Sequence, residues 1–389
     1  MIKERLEFIP LTKLEYLDDL VYQNNDYFNY DIEVIQKLQF GFIKQAYTHH
    51  YKVNKDFRNY SNRRGVKPDD IKKHEDLIKI PLIPSSIFKL KIVKSCNENE
   101  IIKVCTSSGT KGSISKVYRD EVTLNRFLGA MQTVIDNTLG LDDVFCINLG
   151  PSTEEAGDLW FSYVLSLMDM VFPMENFIVD GNFYPQKVVD QVCDVVDRFE
   201  NIVIIGAPIM FIELMKHMED HDIKIDKCKS IMFITAGGWK RASGQAISKK
   251  EFCEQLKKYF IGMSEENSRD IFNMVELNTI FCECNKKIKH SPPWVKIYII
   301  DPFTLELVKD GEVGLIAYLD PTAVSFPCFI LTDDVGKISL NGQCECGRTG
   351  QGLEIIRRVE SKESRGCALK IDKRYSTEYY KGGANGTKF

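Results

Sequence analysis

The chain has no apolar run near the ~20 residues that a membrane-spanning helix needs. Its longest uncharged apolar stretch covers only 202–212. The opening MIKERLEFIP mixes both charge signs without an apolar centre, so no secretory signal is expected there. Cysteine is sparse, 12 in 389 residues, which excludes a disulfide-stapled scaffold and favours free thiols in a cytoplasmic protein. No basic stripe exists either: at a net charge of −4, basic residues alternate with acidic ones, and nucleic acid is not an expected partner. Internal repeats and low-complexity linkers are also missing. What remains is an ordinary globular chain long enough to bury a large core.

The pattern changes along its length. Residues 1–90 read as mainly helical, because EYLDDLVYQNN and DIEVIQKLQFGFIKQAYTHHY space their apolar residues as helices do, and IKIPLIPSSIFK then breaks the pattern with prolines. VFCINLG, NIVIIGAP and SIMFITAGG are continuous apolar runs ending in Gly or Pro, the signature of strands buried on both faces. Helical stretches DLWFSYVLSLM, PQKVVDQVCDVVDRF and PIMFIELMKHM lie between them. The alternation predicts an α/β fold with a mostly parallel sheet under helices. Short strands such as VKIYIID and VGLIAYLD then predict a smaller antiparallel β region at about 277–350. The expected organisation is a helical start (1–90), a main body (91–366) and a short tail (367–389).

One loop invites chemistry. CTSSGTKGS (105–113) follows a predicted strand and offers unobstructed N–H groups, five hydroxyls and Lys111, a set that cradles phosphate oxygens. Its spacing is not that of the ordinary nucleoside-triphosphatase loop. Downstream come TAGGW (235–239), IFNMVE (271–276), ILTDDVG (330–336), RRV (357–359) and RGC (365–367). This succession resembles the adenylate-forming enzymes, which join a carboxylic acid to AMP and hand the acyl group to a thiol. Within them it is most similar to the LuxE-type acyl-protein synthetases, fatty-acid-activating relatives of the phenylacetate–CoA ligases.

The resemblance implies roles for particular residues. Ser107, Ser108, Gly109, Thr110, Lys111 and Gly112 would hold the phosphates of ATP. Gly237 and Gly238 would let the backbone lie against the adenine. Glu276 would help hold Mg²⁺, and Asp334, with Arg358 nearby, would bind the ribose. Departures from the family pattern occur at Phe272-Asn273-Met274-Val275-Glu276 and at Thr332-Asp333-Asp334, where the carboxylates are nonetheless retained. A C-terminal domain with a further lysine is not expected, because only residues 367–389 follow Gly366; Lys111, helped by Lys370 or Lys373, would serve adenylation. Cys367 matches the family's acyl-accepting cysteine, and a thiolate attacks an acyl adenylate readily.

FCECNKKIKHSPPW and the later QCECGRTG bring five soft or borderline ligands in two clusters, a set suited to a structural tetrahedral Zn²⁺. The resemblance selects Cys284, His290, Cys344 and Cys346, leaving Cys282 spare. His49, His50, His217 and His221 are read as surface or packing residues. Two other functions compete. One is a ligase that gives the acyl group to coenzyme A or a carrier protein; the other is a non-catalytic nucleotide-binding subunit. For the leading reading, the expected partner is a reductase that takes the acyl group onward.

Overall fold

The computed structural model describes residues 15–22, 27–109, 114–226, 230–238 and 247–358. Its centre is a seven-stranded sheet. Strands Ser268–Phe272, Ile231–Ala236, Asn201–Gly206, Val144–Pro151 and Met174–Val179 lie side by side in that order and run parallel, and short antiparallel strands Phe281–Cys282 and Asn182–Phe183 close the two edges. The apolar runs read as strands buried on both faces are just that. Within Asn201–Gly206, Ile202 and Ile204 pack with helices Pro185–Val195, Pro208–Asp220 and Lys249–Tyr259, whereas Val203 and Ile205 join the core on the opposite face. The two-residue period of a strand thus supplies both helical layers at once.

On that opposite face lies the helix Glu121–Leu139. It starts where the Asp120 side chain accepts from Thr123 N–H and stops at Gly140, which adopts the left-handed conformation that side chains disfavour. The helix Glu15–Tyr22 crosses it and is fixed by Arg126, whose Nε donates to Asp18 Oδ1 at 2.7 Å. The helices Ile32–Val53 and Lys55–Arg63 complete the helical N-terminal part. Beyond Phe281–Cys282 the chain builds a second sheet in the order Lys289–His290, Thr349–Arg358, Phe329–Gln343, Gly314–Leu319 and Lys296–Ile300, all antiparallel, with Ile83–Pro84 added alongside Phe329–Gln343. This is the predicted antiparallel region, and it continues past residue 350 to Arg358. A separate two-stranded ribbon, Ile101–Thr106 with Lys116–Asp120, carries the hydroxyl-rich loop between its strands.

Gly336 shows how closely these strands approach. A Cβ there would lie 2.3 Å from the Glu354 carbonyl oxygen, which belongs to backbone and cannot swing aside. We expect Gly336→Ala to lower the unfolding free energy by about 2 kcal/mol through overpacking. A chemical-denaturation midpoint equal to that of the parent would refute this.

Candidate active site

Parallel strands end at a common rim, and the segments bearing Gly237, Gly238 and Glu276 leave from it. Ile231–Ala236 runs out into Gly237 and Gly238, both with left-handed backbone at φ +78° and +61°. A Cβ on Gly237 would come within 2.5 Å of the Phe161 ring, so that glycine admits an aromatic side chain of this chain against its backbone. Gly238 has nothing within 4 Å of that position among the described residues. The neighbouring strand Ser268–Phe272 leads into 273–279, where Glu276 is buried. Asp334, also buried, sits within Phe329–Gln343 directly opposite Arg358, whose Nε lies 3.8 Å from Asp334 Oδ1.

The ribbon closes its own loop. Ser107 N–H donates to the Ser115 carbonyl at 3.0 Å, Ser115 N–H donates back to Ser107 Oγ at 3.0 Å, and Gly109 turns the chain at φ +45°. Ser108 belongs to the same turn. Thr110, Lys111 and Gly112 lie outside the described residues, as do Cys367, Lys370 and Lys373.

Contacts tie these pieces into one region. Trp160 and Phe161, neighbours on the helix Trp160–Ser166, reach two strand ends: Trp160 Nε1 donates to Asn273 Oδ1 at 2.5 Å, and Phe161 faces Gly237. Phe272 stacks on Tyr318, with ring centroids 6.2 Å apart. Burial first, and the Asp334 carboxylate second, hold the Tyr318 phenol protonated, and its buried hydroxyl has no hydrogen-bond partner among the described residues. Arg119, projecting from the ribbon, donates to the Val275 and Leu277 carbonyls and to the Asn278 side chain. Sequence reading missed Arg119, Trp160 and Tyr318. For Arg119 a signal existed: it shares a strand face with buried Val117, and a charged residue on an inward face demands an explanation.

Away from the rim, the metal-type cluster assembles from all four selected ligands. One donor atom each from Cys284, His290, Cys344 and Cys346 lies within 4.8 Å of the others. Tetrahedral bonds of about 2.0–2.3 Å put ligand atoms roughly 3.3–3.8 Å apart, so a small contraction brings the set onto zinc. The two halves use matching turns: Cys284 N–H donates to Ile288 O and Lys287 N–H to Cys284 O, while Cys344 N–H donates to Arg348 O and Gly347 N–H to Cys344 O. Burial, reinforced by the Arg348 charge, lowers the His290 pKa to about 4, leaving a neutral imidazole able to coordinate. His290 Nδ1 is buried without a hydrogen-bond partner among the described residues, and Nε2 stands 3.3 Å from Cys346 Sγ. Burial pushes Cys346 up, but bonds from Arg348 and the neighbouring thiols bring it below its ordinary value. Cys282 takes no part; burial lifts its pKa to about 12 and it remains a thiol.

The same hairpin carries charges between its ligands. Glu283 and Lys289, each next to a ligand, form an ion network with Asp270 and Lys249: Lys289 Nζ is 2.7 Å from Asp270 Oδ2 and 3.5 Å from Glu283 Oε1, and Lys249 also pairs with Glu283. Thr235 Oγ1 donates to Asp270 Oδ1 at 2.7 Å, linking the network to the strand that ends at Gly237. Burial raises the Asp270 pKa, but Lys289 and Lys249 more than offset it and hold the carboxyl below its ordinary 3.8. The network's contribution is therefore complete above about pH 4 and is lost as pH falls through the depressed value. Lys289 is 4% exposed. Lys289→Met leaves two carboxylates to share one exposed lysine, and we expect a loss of about 3–5 kcal/mol in denaturant unfolding at neutral pH. A loss under ~1 kcal/mol would show that the network is solvated and weak.

Comparison with known proteins gives this geometry its family. The family described as "Acyl-protein synthetase, LuxE" matches residues 8–376. The long-chain-fatty-acid–luciferin-component ligase of Vibrio harveyi is 32% identical over 364 residues, 93% of this chain and 94% of that protein. The protein of the same name from Aliivibrio fischeri is 31% identical over 360 residues, 91% of this chain and 93% of its own. Among solved structures, 2-hydroxyisobutyryl-CoA ligase in its postadenylation state with 2-HIB-AMP superposes with a TM-score of 0.66 at 14% identity, covering 91% of this chain and 73% of that one. That likeness extends the shared fold to an adenylate-forming ligase. With a family match over residues 8–376 and a relative above 30% identity along nearly its full length, the chain belongs to the LuxE acyl-protein synthetase family.

Proposed function

We propose that this acyl-protein synthetase activates a long-chain fatty acid as its acyl adenylate, accepts the acyl group on Cys367 and delivers it to a partner reductase in the cytoplasm. The observation that carries the reading is the family match over residues 8–376, which spans every proposed site residue from Ser107 to Cys367. The named relatives act on long-chain fatty acids, and the chemistry carries over if the residues do. In this reading 91–366 is the adenylate-forming body and 367–389 the tail that carries the acceptor.

The fatty carboxylate oxygen attacks the α-phosphorus of ATP and pyrophosphate leaves. Ser107, Ser108, Gly109, Thr110 and Gly112 bind the phosphate oxygens, and Lys111 offsets the charge that builds on the leaving group. Glu276, with the phosphate oxygens, would hold Mg²⁺, which would supply further charge neutralisation. Gly237 and Gly238 lie along the adenine, while Asp334 accepts hydrogen bonds from the ribose hydroxyls with Arg358 beside it. The Cys367 thiolate then attacks the acyl carbonyl, a carbon–sulfur bond forms, and AMP departs with the oxygen it gained. A thioester results, and transfer to the partner consumes it. Cys284, His290, Cys344 and Cys346 would hold zinc in a structural role: adenylation needs no metal-bound water, and four protein ligands would leave no open position.

Three measurements test the reading. Lys111→Ala should reduce acid-dependent ATP–pyrophosphate exchange by about 10²-fold, the usual effect of removing one charge-stabilising donor; unchanged exchange would remove Lys111 from the site. Cys367→Ser should keep that exchange yet lose the hydroxylamine-labile acyl label, and a persisting label would move the acceptor elsewhere. Metal analysis of purified protein should return zinc in stoichiometric amount, with a content near zero abolishing the proposed clip.

A further inference from the structure

The segment 273–279, which presents Glu276, is gripped on consecutive peptides by buried side chains. Arg119 Nη2 donates to Val275 O at 2.8 Å and to Leu277 O at 3.3 Å, and its Nε donates to Asn278 Oδ1 at 3.3 Å. Between those two carbonyls, Glu276 O accepts from the Cys328 thiol at 3.2 Å. Burial holds Cys328 well above its ordinary pKa, so its proton stays available for donation. Upstream, Asn273 receives Trp160 Nε1 and donates to Thr279 O at 2.8 Å, cinching both ends of the segment. Downstream, Asn278 N–H donates to Asp320 Oδ2 and its amide to Thr123 O.

Arg119 is an expensive way to hold a loop. Its side chain is fully buried, Nη1 has no hydrogen-bond partner, and no carboxylate pairs with it among the described residues. The guanidinium rests instead over the Trp160 ring, 3.7 Å from its centroid, with Phe326 at 5.5 Å. Ring quadrupoles and peptide dipoles carry the charge. A neutral residue would satisfy a loop more cheaply. What the planar fork supplies is one rigid body touching three acceptors of a single segment.

The fork also has a second attachment. Arg119 stands on Lys116–Asp120, paired across the ribbon with Lys103, and the loop of that ribbon contains Ser107 through Gly112. A single buried side chain therefore connects the strand that follows the proposed phosphate loop to the peptides on either side of Glu276. We propose that Arg119 is a positioning residue that fixes the separation between the phosphate loop and the Glu276 carboxylate, and so sets the affinity for magnesium in the nucleotide complex. This inference rests on the reading of Glu276 as a magnesium ligand.

The test is the magnesium dependence of acid-dependent pyrophosphate exchange in the full-length protein, with thermal unfolding followed in parallel. Arg119→Lys keeps the charge but cannot span three acceptors. It should raise the half-saturating magnesium concentration about tenfold, the equivalent of one lost charged hydrogen bond, with most of the rate recovered at saturation. Glu276→Gln should move the same quantity further, and the double variant should show less than the product of the two effects. If Arg119→Lys merely lowers the melting temperature while Glu276→Gln shifts the magnesium dependence, Arg119 is a packing residue and the reading of Glu276 stands. If Glu276→Gln leaves the dependence unmoved, the magnesium assignment falls and this inference with it. Should Arg119→Lys fail to fold, Trp160→Phe keeps a ring beneath the guanidinium and removes only the N–H to Asn273. It must shift the half-saturating magnesium in the same direction, and an unchanged value overturns the proposal.

Discussion

A parallel sheet buried on both faces leaves one place where its strands can offer polar groups to a ligand, the rim at their carboxyl ends. Two candidate segments of the central sheet follow from that constraint. Helices Pro185–Val195, Pro208–Asp220 and Lys249–Tyr259 seal one face, while Glu121–Leu139 and the antiparallel sheet cover the other. The glycine turn after Ile231–Ala236 and the Glu276 segment after Ser268–Phe272 emerge side by side because their strands are neighbours in the sheet. The second sheet adds Tyr318, stacked on Phe272 at the end of Ser268–Phe272, and the Asp334 charge bears on its phenol.

Holding such a rim in shape requires charge inside the protein. Two devices serve it, and they differ in kind. Arg119 has no opposing carboxylate among the described residues and rests against rings and peptide dipoles, so it fixes geometry at an energetic cost. Lys289, by contrast, meets Asp270 and Glu283, and Asp270 in turn receives Thr235. Cys284 and His290 alternate with Glu283 and Lys289 along one hairpin, so the metal-type cluster and the ion network are opposite sides of the same short element. The clip and the glycine-bearing strand are thereby mechanically joined.

Much of this was legible in the sequence, and the reason is periodicity. Apolar runs such as NIVIIG and SIMFITA report burial on both faces whatever surrounds them, so the parallel strands and the helices between them were readable. Cysteine and histidine spacing likewise announced the cluster, since few other arrangements concentrate five such donors. Arg119 and Tyr318 were not legible. Their importance lies in partners 156 and 46 positions distant in sequence, Val275 for one and Phe272 for the other, and no local pattern encodes a contact of that range. Phe161 behind Gly237 was missed for the same reason: the glycine was visible, but the side chain that requires it lies on another helix.

The central claim is that the ribbon loop and the Glu276 segment form the two walls of one magnesium–triphosphate site. A crystal structure of the full chain with Mg²⁺ and a non-hydrolysable ATP analogue tests it most directly. The account predicts phosphate oxygens against residues 107–112, a metal ion between them and the Glu276 carboxylate, and the ribose hydroxyls at Asp334. A nucleotide bound with its phosphates away from that loop, or a metal ion that makes no contact with Glu276, would contradict it.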